Sequence, residues 1–129
     1  MGFELVKVET NRDLERFIRL SWKIYEDQPC WVPPLIQERK KFLSPDINPF
    51  FEHADVDLFL ALDNDRSPVG RIALTHDRSY QDLHSELVGM FGMFEAINDP
   101  NLFRFLLDKA HHWCQKKGYA RLIGPMNLS

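Results

Sequence analysis

At 129 residues, with 44% hydrophobic and 27% charged side chains, the chain suffices for one packed domain and is too short for two, so residues 1–129 read as a single domain. A formal net charge of -3 argues against a general nucleic-acid binder, which needs a basic face. No run approaches the roughly 18 apolar residues of a membrane span and no signal peptide opens the chain; two distant cysteines, Cys30 and Cys114, read as reduced thiols of a cytoplasmic protein.

Residues 3–9 alternate in part and read as a first strand. Thr10 then caps a helix, with Asp13 at capping-box spacing; Leu14, Phe17, Ile18, Trp22 and Tyr25 recur at three or four and make one apolar stripe. Pro29 closes that helix. After the stiff run Pro29-Cys30-Trp31-Val32-Pro33-Pro34, a second helix is expected to start with Pro34 in its first turn and to reach about Leu43, with Leu35, Ile36, Arg39, Phe42 and Leu43 on one side. The basic run Arg39-Lys40-Lys41 is read as a solvated helix face.

Two strands, 56–62 and 69–75, flank the polar turn Asp63 to Pro68 and read as a hairpin. A loop from His76 to Ser85 leads to a third strand of this group, 87–94, in which Gly89 and Gly92 signal a bulge or the close approach of another backbone or a ligand. Asp99-Pro100 opens a helix with a stripe of Phe103, Leu106, Leu107, Ala110, Trp113 and Cys114, and Gly118 closes it. A last strand, 119–126, is broken by Gly124-Pro125.

The order is β-α-α-β-β-β-α-β: an α/β (α+β) fold with a mixed, mostly antiparallel sheet and helices on both faces. The final strand–helix–strand unit requires a right-handed crossover and parallel strands. Ligands of open sheets bind beyond the carboxyl ends of such strands, here a crevice lined by Phe94, Glu95 and Ala96 on one side and Pro125, Met126 and Asn127 on the other.

This order resembles the GNAT superfamily of acyl-CoA N-acyltransferases, and the local match is to the N-terminal part of longer, poorly characterised bacterial GNAT-like proteins. Trp31-Val32-Pro33-Pro34, Asn48-Pro49-Phe50-Phe51-Glu52-His53, Val69-Gly70-Arg71-Ile72-Ala73, Gly89-Met90-Phe91-Gly92-Met93-Phe94-Glu95 and Gly124-Pro125-Met126-Asn127 carry the resemblance. It implies acetyl-CoA or another acyl-CoA as co-substrate and a small-molecule amine as acceptor. The pantetheine arm would lie between the fourth and fifth strands and pair with Met93, Phe94 and Glu95, with Met126 opposite, while Asn98 and Asn101 would stand at the pyrophosphate. Trp31, Phe51 and His53 fall in connections that line the acceptor cleft in the superfamily.

The sequence departs from that pattern twice. Glu95-Ala96-Ile97-Asn98-Asp99-Pro100-Asn101 lacks the glycines and the Arg or Gln of the superfamily's pyrophosphate loop, and Asp99 sets a negative charge there, so weak acyl-CoA binding is expected. The helix and strands that follow the fifth strand in the superfamily are not in the sequence, which implies that the C-terminal part of the fold is missing. That leaves the strand 119–123 as an edge through which a homodimer could form.

Several residues carry two readings. Glu95 at a strand end could take a proton from an incoming ammonium, or could simply anchor a loop. His53 is a packed structural histidine or an acceptor-site base; Trp31, Phe50 and Phe51 are core packing or cleft lining. Arg71 could meet an acidic ligand, although a cross-strand ion pair with Asp57 is the plainer account. His111 and His112 point about 100° apart on a helix, and Cys114 belongs to the apolar stripe, so no metal site is expected. The activity that results is acyl transfer from an acyl-CoA to an amine, with Glu95 as base. The rival is a catalytically inactive domain of the same fold that binds a protein partner.

Overall fold

The computed structural model describes residues 2–126. The expectation placed on Asn127 lies outside them. Five strands form one sheet in the order β1-β2-β3-β4-β5: β1 (Glu4–Lys7), β2 (Ala54–Leu62), β3 (Pro68–Asp77), β4 (Gly89–Ala96) and β5 (Leu122–Ile123). The first three pairings are antiparallel. The β4–β5 pairing is parallel, with Gly89 opposite Leu122 and Met90 opposite Ile123, and the helix α4 (Pro100–Lys117) crosses between them as the sequence requires.

Local chemistry explains most boundaries. Helix α1 (Asn11–Tyr25) starts at Thr10, whose Oγ1 accepts from the Asp13 N–H at 3.1 Å; the Asp13 carboxylate turns to Arg16 rather than closing a reciprocal box. The β2–β3 turn is tied by Asp63, whose carboxylate accepts from the N–H groups of Asp65 and Ser67. Asp99 caps α4 through the Asn101 N–H at 2.9 Å, and Gly118 closes it in the left-handed region at φ 78°.

The sheet buries both faces, which suits the continuous apolar runs of β2 and β3. Phe17 and Ile18 of α1 meet Leu60, Leu62, Leu43 and Phe50 on one side. Leu102, Leu106 and Ala110 of α4 meet Ala61, Val69, Ile72 and Leu74 on the other.

Four sequence expectations are corrected. The segment after β3 is not a loop but a third helix, α3 (Arg78–His84), capped by Asp77 and closed by Ser85 at φ 54°; it buries no residue, so it has no apolar stripe to read. Helix α2 spans Ile36–Phe42, and its cap residue Leu35 is extended and 64% exposed, so Pro34 lies before the helix and not in its first turn. The buried stripe of α4 is Leu102, Leu106, Ala110 and Cys114, because the helix is rotated so that Phe103 and Leu107 face outward. The last strand pairs over only two residues, since Tyr119 is still tied to the end of α4 through its N–H to Cys114 O.

No helix among the described residues is long and apolar enough to cross a membrane.

Candidate functional site

Strand β4 carries the site because it changes shape along its length. Arg71 of β3 opposes Glu95 of β4, and Ala73 opposes Gly92, so Ile72 alone faces the two residues Met93 and Phe94. That is a β-bulge, and Met93 adopts the left-handed conformation at φ 49° to form it. The bulge therefore lies at Met93. Gly92 answers a backbone approach, since a Cβ there would lie 2.2 Å from the carbonyl oxygen of Met126. Gly89 answers side-chain packing, with Cys114 Sγ 2.5 Å and Trp113 2.9 Å from the same imagined atom.

The β4–β5 pairing ends where the bulge begins. Beyond the bond from Met126 N–H to Phe91 O at 3.0 Å, no strand among the described residues pairs with this edge of β4, although β4 runs on to Ala96. An open cleft of about 530 Å³ takes the place of pairing, lined by Phe91, Met93, Phe94, Glu95, Pro125 and Met126. Four of the residues expected at the acyl-CoA thus come together: Met93, Phe94, Glu95 and Met126. Asn98 and Asn101 do not join them. Asn98 is exposed, and Asn101 lines a separate cleft beside Phe3, Arg104 and Asp108.

The start of α4 leaves little for an anion. Pro100 has no N–H, the Asn101 N–H bonds Asp99 Oδ1, and the N–H groups of Leu102 and Phe103 both bond Asp99 O. The pyrophosphate of a CoA does not fit this helix end as it stands.

On the α1 side of the bulge three polar groups converge. Arg71 is only 7% exposed. Its Nε donates to Met93 O at 3.2 Å and its Nη1 to Phe17 O at 2.8 Å, with a longer contact to Ile18 O at 3.5 Å; its guanidinium lies 5.0 Å from the centre of the Phe17 ring. Burial lowers the pKa of Arg71, and the nearby Glu95 carboxylate and Tyr25 work against that fall. The expected ion pair with Asp57 does not form, because the register sets Leu60, not Asp57, beside Arg71; Asp57 instead bonds Trp113 Nε1 at 2.9 Å and pairs with Lys7 at 3.6 Å.

The Glu95 carboxylate near Tyr25, the last residue of α1, holds the Tyr25 phenol above its ordinary pKa, by hydrogen bonding first, then, with help from partial burial, by its charge. Tyr25 was legible in the sequence only as the end of an apolar stripe. Trp31 stacks on Tyr25 with ring centres 5.7 Å apart, so it stands one ring from the Glu95 cluster. Phe51 and His53 do not. Phe51 lines a cleft between β1 and the start of α1, and His53 Nδ1 bonds Asp77 Oδ1 at 2.8 Å while its ring packs on Phe50. Among the described residues no group of three or more His, Cys, Asp or Glu could hold a metal ion.

The Tyr25 bond gives a first expected outcome. A phenol held above its unfolded pKa stabilises the fold at pH values below the unfolded value, and that contribution is lost as pH rises through the folded one. Glu95→Gln removes the charged acceptor, so the Tyr25 midpoint should fall toward the ordinary value. Ultraviolet titration checks it, with Tyr25→Phe identifying the signal among the three tyrosines. An unmoved midpoint would show that Glu95 does not hold this hydroxyl.

The arrangement, a parallel crossover, a bulged fourth strand and a cleft where the fifth diverges, is that of the GNAT acetyltransferases, and the chain has their fold. Among solved structures it superimposes on a ribosomal-protein-alanine N-acetyltransferase from Brucella melitensis (TM-score 0.65, 13% identity, 95% of this chain and 79% of that one). The predicted acetyltransferase with acetyl-CoA from Clostridium acetobutylicum is similar in shape (TM-score 0.64, 7% identity, 98% and 82%). No protein-family model matches the chain. In sequence it is 40% identical over 126 residues to the bacterial ceramide synthase of Caulobacter vibrioides, covering 97% of this chain and 33% of that protein. It is 34% identical to protein YghO of Escherichia coli, covering 97% and 32%. The chain thus spans about a third of the length of the curated relatives it matches.

Proposed function

We propose that this chain forms the thioester-facing part of an N-acyltransferase, which moves an acyl group from an acyl-CoA to an amine. The observation that carries the reading is the bulge at Met93 beside the unpaired edge of β4, with the Glu95 carboxylate at the same cleft. In the reaction the amine nitrogen attacks the thioester carbonyl, a C–N bond forms, the C–S bond breaks and CoA leaves as its thiol. Glu95 accepts the proton that the ammonium must lose, directly or through water. Trp31, held on Tyr25, borders the acceptor's approach. The similarity to a bacterial ceramide synthase supports this chemistry, because a ceramide is the amide of a long-chain amino alcohol. Nuclear magnetic resonance titration with S-acetylpantetheine tests the reading. Shifts centred on Met93, Phe94, Glu95 and Met126 are expected; their absence would overturn it in favour of a non-catalytic binding domain.

The closed helix end predicts a low affinity for the whole cofactor. Calorimetry with acetyl-CoA should find binding weaker than micromolar. Asp99→Asn keeps a capping side chain and removes a charge that repels phosphate by roughly 1 to 4 kcal/mol at 4 Å. It should tighten acetyl-CoA binding about fivefold or more. Micromolar binding by the unaltered chain, or no gain from the substitution, would contradict the role given to Asp99.

A further inference from the structure

Arg71 is the most deeply buried charge on the α1 side of the site, and its hydrogen bonds do not exhaust it. Nε and Nη1 are engaged by the carbonyls of Met93, Phe17 and Ile18, whereas Nη2 has no acceptor among the described residues. A guanidinium has five N–H donors, and the two on Nη2 are open rather than sealed in: among the described residues the buried side-chain polar atom left without a partner is Thr75 Oγ1, not an atom of Arg71, so Nη2 is available to water or to a ligand. Its platform is rigid: the Phe17 ring lies 5.0 Å from it and two backbone elements clamp it. Arg71 also stands directly across the β3–β4 ladder from Glu95, so both side chains rise from the same face of the sheet. The charged and titratable groups acting on Arg71 are Glu95, Tyr25 and, from α2, Arg39.

We infer that Arg71 is a specificity-determining residue, which uses Nη2 to bind an oxygen of the acceptor next to the amine that Glu95 receives. The inference rests on the N-acyltransferase reading above. Arg71 and Glu95 oppose each other on the ladder and rise from one face, so a ligand that touches both carries its nitrogen and its oxygen close together. The oxygen is a hydroxyl and not a carboxylate. Carboxylates favour a two-nitrogen fork, and here Nε and Nη1 are already taken. A carboxylate would also face the charge of Glu95. The Glu95 carboxylate is partly exposed and lines the cleft, so an ammonium can reach it.

The test compares two ligands that differ by one hydroxyl, 2-amino-1-octanol and 2-aminooctane, titrated calorimetrically into the chain. The alcohol should bind about tenfold tighter, the discrimination expected of one hydrogen bond from a charged donor. Arg71→Lys keeps the positive charge but puts a single nitrogen in place of the three of the fork. It should lower the ratio toward one and leave the affinity for 2-aminooctane nearly unchanged. A merely structural arginine would weaken both ligands alike. If Arg71→Lys does not fold, as circular dichroism would report, the ligand pair in the unaltered chain still decides the matter. Equal affinities there overturn the role of Arg71 and leave the acceptor site standing. Failure of both amines to bind or to shift the Glu95 resonances overturns the acceptor site and this inference with it.

Discussion

Phe17→Ala should lower the unfolding free energy by about 3 to 5 kcal/mol, among the largest effects of any single truncation in this chain. Phe17 is 0% exposed and stands at the centre of the α1 face, packed with Ile18, Leu60, Leu62 and Phe50. The loss has two parts: the apolar surface no longer removed from water, and a cavity that two packed layers cannot close. A third consequence falls on the site. The Phe17 ring is the platform on which the Arg71 guanidinium lies, and a buried cation over an aromatic face gains from it. The truncation should therefore loosen Arg71 and the Met93 carbonyl it holds. Denaturant unfolding measures the first effect as a lower midpoint with an unchanged slope. Leu107→Ala is the control, since Leu107 is 44% exposed and should cost little. A Phe17→Ala midpoint within error of the Leu107→Ala midpoint would refute the account of the core.

The contrast between those two residues shows where the sequence could be read and where it could not. Helix α4 was legible from its ends, because Asp99-Pro100 and Gly118 act through the backbone and need no neighbour. Its rotation was not, because apolar residues at 102, 103, 106, 107, 110 and 113 admit two adjacent stripes and only packing against β3 selects the one containing Leu102 and Leu106. Helix α3 was illegible because it buries nothing, and its one local signal is the Asp77 cap. At the site, Phe94, Glu95 and Met126 could be placed together from element order alone, since the crossover dictates which strand ends meet. Arg71 and Tyr25 could not. The partner of Arg71 depends on strand register, and Asp57 falls three positions away from it across the ladder. Tyr25 looked like one more apolar residue of α1, and only the approach of that helix end to β4 brings it under the influence of Glu95.

Gly92→Ala should act at the cleft itself. The added methyl would lie 2.2 Å from the Met126 carbonyl oxygen, and that atom belongs to a backbone and not to the end of a flexible side chain. Something must therefore move, and among the described residues the segment after β5 bonds β4 here through Met126 N–H to Phe91 O. Overpacking of this kind costs about 1 to 3 kcal/mol. The displacement should carry Met126 and Pro125 away from Phe91, Met93 and Glu95, and so change the cleft that they line together. Gly70→Ala is a useful comparison, since a methyl there meets chiefly the Cδ1 tips of Leu106, at 2.8 Å, and Leu102, at 3.5 Å, which can turn aside. The expected order is thus a larger loss of stability for Gly92→Ala than for Gly70→Ala. It should come with weaker S-acetylpantetheine shifts at Met93 and Glu95 for Gly92→Ala alone. Equal losses from the two substitutions, with the ligand shifts intact in both, would mean that the approach of Met126 to β4 does not shape the cleft.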